Sequence, residues 1–265
     1  MLFRYAALNS ELTAAVRRVY SAGERVILDY ARENVRLVDV PHVVRVSQCM
    51  IDGAPEHAMV ALKLTSFGAR EHLNSALDDV DALVRRAKAR GVVTLLDAED
   101  QLWPAPCYEL CRSHNSEDTA WVYNTYQMYR RDAYDEMCAD VRSAHRDGIA
   151  LGIKLVRGAY LRTQRGGILC GSKTETDAQY ERAMTQALGA PRARTLLATH
   201  NEASLRYAET NFPRERYLTA QLCGMGRQLG CGTIDYRYVP FGDLTELAPY
   251  LLRRLRERLA WEQNE

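Results

Sequence analysis

The sequence has no run approaching the roughly 18 consecutive apolar residues of a membrane-spanning helix. Met1 leads almost directly into an amphipathic segment, with none of the apolar stretch a secretory signal needs. A spanning helix is therefore not expected, while peripheral membrane contact stays open. Charge of one sign is equally scarce: 35 basic against 34 acidic residues leave a formal net charge of +1. No stretch interleaves basic and aromatic residues as a nucleic-acid groove requires, so no nucleic-acid partner is expected. The seven cysteines are odd in number, scattered and without a C-x-x-C pair, which speaks against a disulfide framework or zinc site and fits a reducing compartment. The six histidines form no H-E-x-x-H and no metal-spaced cluster, so no metal is expected. A G-x-G-x-x-G opening a helix and a G-x-S-x-G elbow are both missing, which removes a Rossmann cofactor site and leaves a serine hydrolase without support.

What is present is an alternation. At 265 residues the chain has the size of one complete (β/α)8 barrel, and its 47% hydrophobic and 26% charged residues are those of an ordinary globular protein. Eight short apolar or β-branched runs read as strands: Arg25–Asp29, Ala58–Leu64, Val92–Asp97, Ala120–Asn124, Leu151–Arg157, Arg194–His200, Arg216–Leu222 and Tyr236–Pro240. Helix-like segments follow them, among them His72–Arg90 and Asp132–Asp147, which Gly91 and Gly148 terminate. Eight βα units predict a TIM-type α/β barrel forming a single domain over residues 1–265. Ser10–Ala22 is predicted as a helix capping the barrel floor, and Leu244–Trp261 as the long final helix. Gly166, Gly167 and Gly171 interrupt any periodicity over Thr163–Thr174, which predicts a mobile loop.

In such a barrel the site lies at the C-terminal ends of the strands. Asp29, Lys63, Asp97, Asn124, Arg157, His200, Gln221 and Tyr238 each close or nearly close a strand. Asp29, Asn124 and Gln221 read singly as helix caps or turn residues as readily as functional groups, but eight polar residues at one rim point to a site. Lys154 sits within the apolar run Ile153–Val156, where a charge is costly without a partner; it is either a snorkelling edge lysine or one aimed into the mouth to stabilise an anion. Arg253 and Arg254 suit bidentate recognition of a carboxylate, or form a solvated helix face on which Arg253 pairs with Glu257.

The wording around these positions is specific. KLVRGAYL at Lys154–Leu161 and LKLTSFG at Leu62–Gly68 closely resemble the proline dehydrogenase family. In order follow LLDAED at Leu95–Asp100, YNTYQMY at Tyr123–Tyr129, ATHNE at Ala198–Glu202, QLCGMG at Gln221–Gly226, YVPFG at Tyr238–Gly242 and PYLLRRLRE at Pro249–Glu257. With VILDY at Val26–Tyr30 the resemblance covers residues 10 to 260, and its NTYQ and KLVRGAYL resemble the eukaryotic-type, monofunctional branch. Two departures stand out: the first inter-strand connection is short, and Arg258 occupies the position of a usual asparagine.

The resemblance implies hydride transfer from C5 of L-proline to N5 of a noncovalent FAD, giving Δ1-pyrroline-5-carboxylate, with a quinone as final acceptor. It implies that Lys63, Arg253 and Arg254 hold the substrate carboxylate and that Tyr160, Leu222, Tyr238 and Tyr250 wall the ring. Asp97 would orient Tyr238 or Lys63, and Lys154 would lie by the reactive edge of the flavin. Ala98, Asn124, Arg157, Gly158, Ala159, Thr199, His200 and Glu257 would contact the cofactor, with Gly158 and Ala159 small enough for its close approach. Glu33 would gate the site by pairing with Arg253 when substrate is present, unless it is a surface glutamate. Mitochondrial inner-membrane or matrix-side location is implied, although no Arg- and Ser-rich presequence is seen; otherwise the cytoplasm is expected. Rival readings are a 4-hydroxyproline dehydrogenase, a barrel that only binds, and a metal hydrolase built on Lys63, Asp97 and His200.

Overall fold

A strand rich in Val, Ile and Leu buries both faces only when helices cover one side and other strands close over the other, and the chain arranges its strands this way. A computed structural model describes residues 5–100, 103–160, 167–224 and 234–252. A two-residue strand β1 (Ala7–Leu8) is followed by helix α1 (Leu12–Ser21) and then by eight longer parallel strands. These are β2 (Arg25–Tyr30), β3 (Met59–Leu62), β4 (Val93–Leu96), β5 (Val122–Gln127), β6 (Leu151–Val156), β7 (Ala193–Ala198), β8 (Tyr217–Leu222) and β9 (Tyr236–Gly242). Each pairs with the next, and β9 pairs with both β8 and β2, which closes the (β/α)8 barrel. All eight expected strands form, shifted by a few residues at their ends. β1 was not legible, because two residues carry no periodicity; it adds Ala7 and Leu8 to the outer edge of β9 opposite Phe241 and Gly242.

Around the barrel lie α2 (Val40–Asp52), α3 (Leu73–Ala89), α4 (Pro104–His114), α5 (Ala133–Asp147), α6 (Lys173–Gly189) and α7 (Glu202–Asn211), and residues 244–252 are helical. The expected final helix falls outside the described residues beyond Leu252. Alternation along each strand separates two cores. Outward residues such as Val26, Leu28, Val60, Val122, Ile153 and Leu155 pack with helix residues including Val80, Leu83, Tyr180 and Met184. Inward residues Ile27, Met59, Ala61, Leu95, Tyr123, Leu196, Ala220, Tyr236 and Tyr238 fill the barrel. Gly152 is fixed by this inner packing: a Cβ there would meet the Tyr123 ring at 2.6 Å and the Val122 carbonyl at 2.5 Å.

Two expectations change. α1 does not cap the floor; its buried Ala15 and Val19 join the outer core, against the outward faces of β2 and β9. The irregular stretch after β6 is also held more firmly at its end than its glycines suggested. Arg131 N donates to Ile168 O at 2.8 Å, Cys170 N donates to Tyr129 O at 2.7 Å, and Ser172 caps α6 by accepting from Glu175 N at 3.0 Å. Positions 163–166 of that stretch lie outside the described residues.

Candidate active site

Five polar residues stand two positions beyond an inward core residue, and alternation therefore turns them all into the barrel mouth. Asp29 follows Ile27, Lys63 follows Ala61, Asp97 follows Leu95, Thr125 follows Tyr123, and Lys154 follows Gly152, the register partner of Tyr123. Thr125 and Lys154 are register partners on adjacent strands. Asp29, Lys63, Thr125 and Lys154 are all buried. Two cations and two carboxylates so placed cannot stay charged without partners.

They pair across the mouth. Lys154 Nζ donates to Asp97 Oδ1 at 2.6 Å, and the Tyr238 hydroxyl donates to the same oxygen at 3.2 Å. The ammonium also lies 4.6 Å from the centre of the Tyr238 ring, within the range of a cation–π contact. Burial, with the charges of Asp97 and Asp29 behind it, pushes the Tyr238 phenol well above its ordinary range, so it stays protonated and is the donor. Lys63 is bound instead to Asp29 through Nζ and Oδ1 and reaches the Tyr30 carbonyl at 3.4 Å. Burial alone would strip the Lys63 proton, but the Asp29 carboxylate, helped by Asp97 and Glu33, more than offsets this and raises its pKa. Of the two orientations expected for Asp97, the one toward Tyr238 is present. Lys63 has taken a different carboxylate, because Asp29 stands near the end of the adjacent strand β2.

The resemblance-derived cofactor positions distribute unevenly. Asn124 shares the outward face of β5 with Val122 and Tyr126, flanked in register by Leu96 and Ile153 of the outer core. It lies beside Tyr126, whose hydroxyl donates to Asp140 of α5 at 2.7 Å. The inward polar residues of that strand are Thr125 and Gln127. The Thr125 Oγ1 is buried without a hydrogen-bond partner, an unusual state for a hydroxyl facing a cavity of polar groups. Gln127 Nε2 donates to the carbonyl of Ala98 at 3.0 Å.

Arg157, at the end of β6, is committed to the protein: Nε reaches Asp177 at 2.9 Å, Nη1 reaches Thr199 Oγ1 at 2.6 Å and Nη2 reaches Ser204 Oγ at 2.8 Å. It also stacks 4.5 Å from the Tyr180 ring and so braces the ends of β6 and β7 against α6 and α7. Gly158 is required for a reason the sequence did not show. Its φ is +128°, and a Cβ would meet the Tyr129 ring at 2.1 Å, so an aromatic of the β5 loop by itself demands the glycine. Ala159 and Tyr160 follow it, half-buried. His200 Nε2 accepts from Leu222 N at 3.1 Å, which assigns the ring hydrogen to Nδ1 and ties β7 to β8 beside the half-buried Leu222. Tyr250 is buried with Ala6, Ala31 and Leu247 and lies close enough to Tyr238 to bear on its titration. Glu33 bears likewise on Lys63 and Asp29. Arg253, Arg254 and Glu257 lie outside the described residues. Among the described residues no group of three His, Cys, Asp or Glu is arranged to hold a metal ion, and no helix is long and apolar enough to cross a membrane.

Comparison with known proteins converges on one family. Proline utilization A of Bdellovibrio bacteriovorus superimposes with a TM-score of 0.82 at 20% identity, covering 96% of this chain and 32% of that one, which shows the fold. Hydroxyproline dehydrogenase of Rattus norvegicus is 33% identical over 227 residues, 74% of this chain and 50% of that protein. Proline dehydrogenase 1, mitochondrial, of Homo sapiens is 33% identical over 225 residues, 73% of this chain and 37% of that protein. The chain spans about half the length of the first of these relatives and less of the second. A family model described as proline dehydrogenase matches residues 12–264, nearly the whole sequence, and the chain belongs to the proline dehydrogenase family.

Proposed function

We propose that the protein is a proline dehydrogenase, oxidising L-proline to Δ1-pyrroline-5-carboxylate with FAD and passing the electrons to a quinone. The observation that carries this reading is the shared Asp97 oxygen, which presents Lys154 and Tyr238 side by side in a mouth that also holds Lys63. The site fits a flavin in one testable respect: Thr125 Oγ1, buried and without a partner, stands beside Lys154 where a ring with hydrogen-bonding edges would satisfy it. Thr125 and Lys154 would hold that ring, with Ala98, Ala159, Thr199, His200 and Glu257 as further contacts and Arg157 as the brace behind them. FAD supplies, when bound, the two-electron acceptor. Lys154 contributes a positive charge where negative charge develops during the transfer, and Asp97 holds that ammonium in place. Lys63, with Arg253 and Arg254, neutralises the substrate carboxylate. Tyr238, Leu222, Tyr160 and Tyr250 exclude water from around the ring, which strengthens each of these interactions. The mitochondrial relative supports a mitochondrial inner-membrane or matrix-side setting.

The test is anaerobic mixing of the purified yellow protein with L-proline. The flavin absorbance bleaches, and denaturation afterwards releases free FAD. A protein that carries FMN, or keeps its flavin attached after denaturation, contradicts the cofactor assignment; one that proline does not bleach contradicts the activity.

Relatives named for hydroxyproline and for proline match this chain at the same identity, so substrate choice rests on the pocket. Tyr238 is buried and anchored by Asp97, which holds its ring in place. An apolar wall rejects an added hydroxyl by only about a hundredfold, so kcat/KM should favour L-proline by about that factor over trans-4-hydroxy-L-proline. Tyr238→Ser should narrow the preference by roughly tenfold or more and lower proline turnover through lost packing. An unchanged ratio, or a wild-type preference for the hydroxylated substrate, rejects the assignment.

A further inference from the structure

Segments from four neighbouring strand ends are linked through one buried glutamate and its hydrogen-bond partner Thr65. Glu99 is 2% exposed and stands just after the end of β4. Its Oε2 accepts from Thr65 N at 3.0 Å, and its Oε1 accepts from the Thr65 hydroxyl. Thr65 Oγ1 in turn accepts from Asn34 N at 3.0 Å, and Thr65 O accepts from Val35 N at 3.0 Å. The next residue, Ser66, donates through Oγ to Arg32 O at 2.5 Å. From the other side Gln127 Nε2 donates to the carbonyls of Ala98 at 3.0 Å and Glu99 at 3.3 Å. The loop after β2, which carries Glu33, is thus tied through Thr65 and Glu99 to the strand end that carries Asp97, and onward to β5 beside Thr125.

Two features mark the hold on this loop. Asn34 has φ +54°, in the left-handed region, which asparagine adopts more readily than other residues with a Cβ. Its Oδ1 accepts from Arg70 Nε at 2.5 Å, a second tie to the loop after β3. Glu99 is itself costly to keep. Burial, opposed by the Thr65 hydrogen bonds and reinforced by the charge of Glu33, pushes its carboxyl up to about 7. A carboxyl buried at that cost stands on the hydrogen bonds it accepts from Thr65.

We propose that Glu99 is a positioning residue: through Thr65 it fixes the Glu33 loop against the end of β4 and so sets the affinity of the site for substrate, not the rate of the redox step. The charge of Glu33 acts on Lys63 and Asp29 in the mouth, and an untied loop pays the ordering entropy at each binding event. This rests on the proposed proline dehydrogenase activity, and the test separates the two. Thr65→Val removes the hydroxyl at nearly constant volume, Glu99→Ala removes the carboxylate, and Glu99→Gln keeps one acceptor and gains a donor for Thr65 Oγ1.

In the flavin-loaded protein without substrate, amide exchange at Asn34 and Val35 should rise about tenfold or more in Thr65→Val and Glu99→Ala, while Ala31, whose N bonds to Phe241 O, is unchanged. In anaerobic titrations the proline concentration for half-maximal bleaching should rise about tenfold in both, with the limiting rate within about threefold of wild type. Glu99→Gln should stay within about threefold on every readout. Unchanged exchange at Asn34 and Val35 in Thr65→Val, or a fall in limiting rate at unchanged half-saturation, overturns the inference. Wild-type protein that proline does not bleach removes the proposed activity instead; the exchange data then decide the strut by themselves.

Discussion

Lys154→Met should lower the limiting rate of flavin bleaching by L-proline by about 10²–10³-fold, the loss seen when one preorganised donor is removed from a developing negative charge. The physical basis is the isolation of this ammonium. It is buried and aimed by a single carboxylate oxygen 2.6 Å away, with the Tyr238 ring on one side. Few reorganisation costs are then left to the moment of reaction. Flavin content should fall by much less than the rate, because Thr125, Ala159, Thr199 and His200 are untouched, and the proline concentration for half-maximal bleaching should also move by less than the rate. Lys154→Arg, which keeps the charge, should recover most of the loss. A Lys154→Met protein that bleaches at the wild-type rate would falsify the placement of this charge beside the cofactor.

Lys63→Met should raise the proline requirement by about a hundredfold, the equivalent of the one to two charge-assisted hydrogen bonds a carboxylate would lose. The same change should destabilise the fold by about 3–5 kcal/mol, because it strands Asp29 in the barrel without its counter-ion. The two effects can be pulled apart. Asp29→Leu combined with Lys63→Met replaces the buried pair by apolar side chains of similar volume, and such replacements are often neutral or stabilising. The double variant should therefore regain most of the lost thermal stability while its proline requirement stays high. If affinity returns with stability, Lys63 serves the fold and not the substrate. Asp29 adds a further consequence: since it already holds Lys63 in the structure, a bound carboxylate must share or displace that bond, so Asp29→Ala alone should tighten a carboxylated ring inhibitor as long as the variant folds.

How much of this could be read without coordinates depended on the kind of information each feature carries. The eight β-branched runs with amphipathic segments between them are local patterns, and local patterns survive in one dimension; the closed barrel and the rim where polar residues collect followed from them. Lys154 was conspicuous for the same reason, as one charge within Ile153–Val156. In β5 the pattern carried no phase. Val122–Gln127 has polar residues on both of its alternating faces, Asn124 on one and Thr125 and Gln127 on the other. A shift of one residue exchanges inside for outside, so the pattern alone did not decide whether Asn124 or Thr125 faces the mouth. Pairings across the barrel were likewise beyond reach. Tyr238 and Asp97 lie 141 positions apart and Lys63 and Asp29 lie 34 apart, and which carboxylate each cation meets depends on how far neighbouring strands are staggered when the sheet closes. Gly158 makes the same point in reverse. Its presence was plain, but the Tyr129 ring that excludes any larger residue comes from a different loop, brought against it only by the pairing of β5 with β6. The amino-acid sequence alone determined that a (β/α)8 barrel would form and which strand ends would carry charge, since both are set by residues close together in the chain. Tertiary closure decided which of those charges face one another, because ion pairing depends on distances in space that no spacing along the chain encodes.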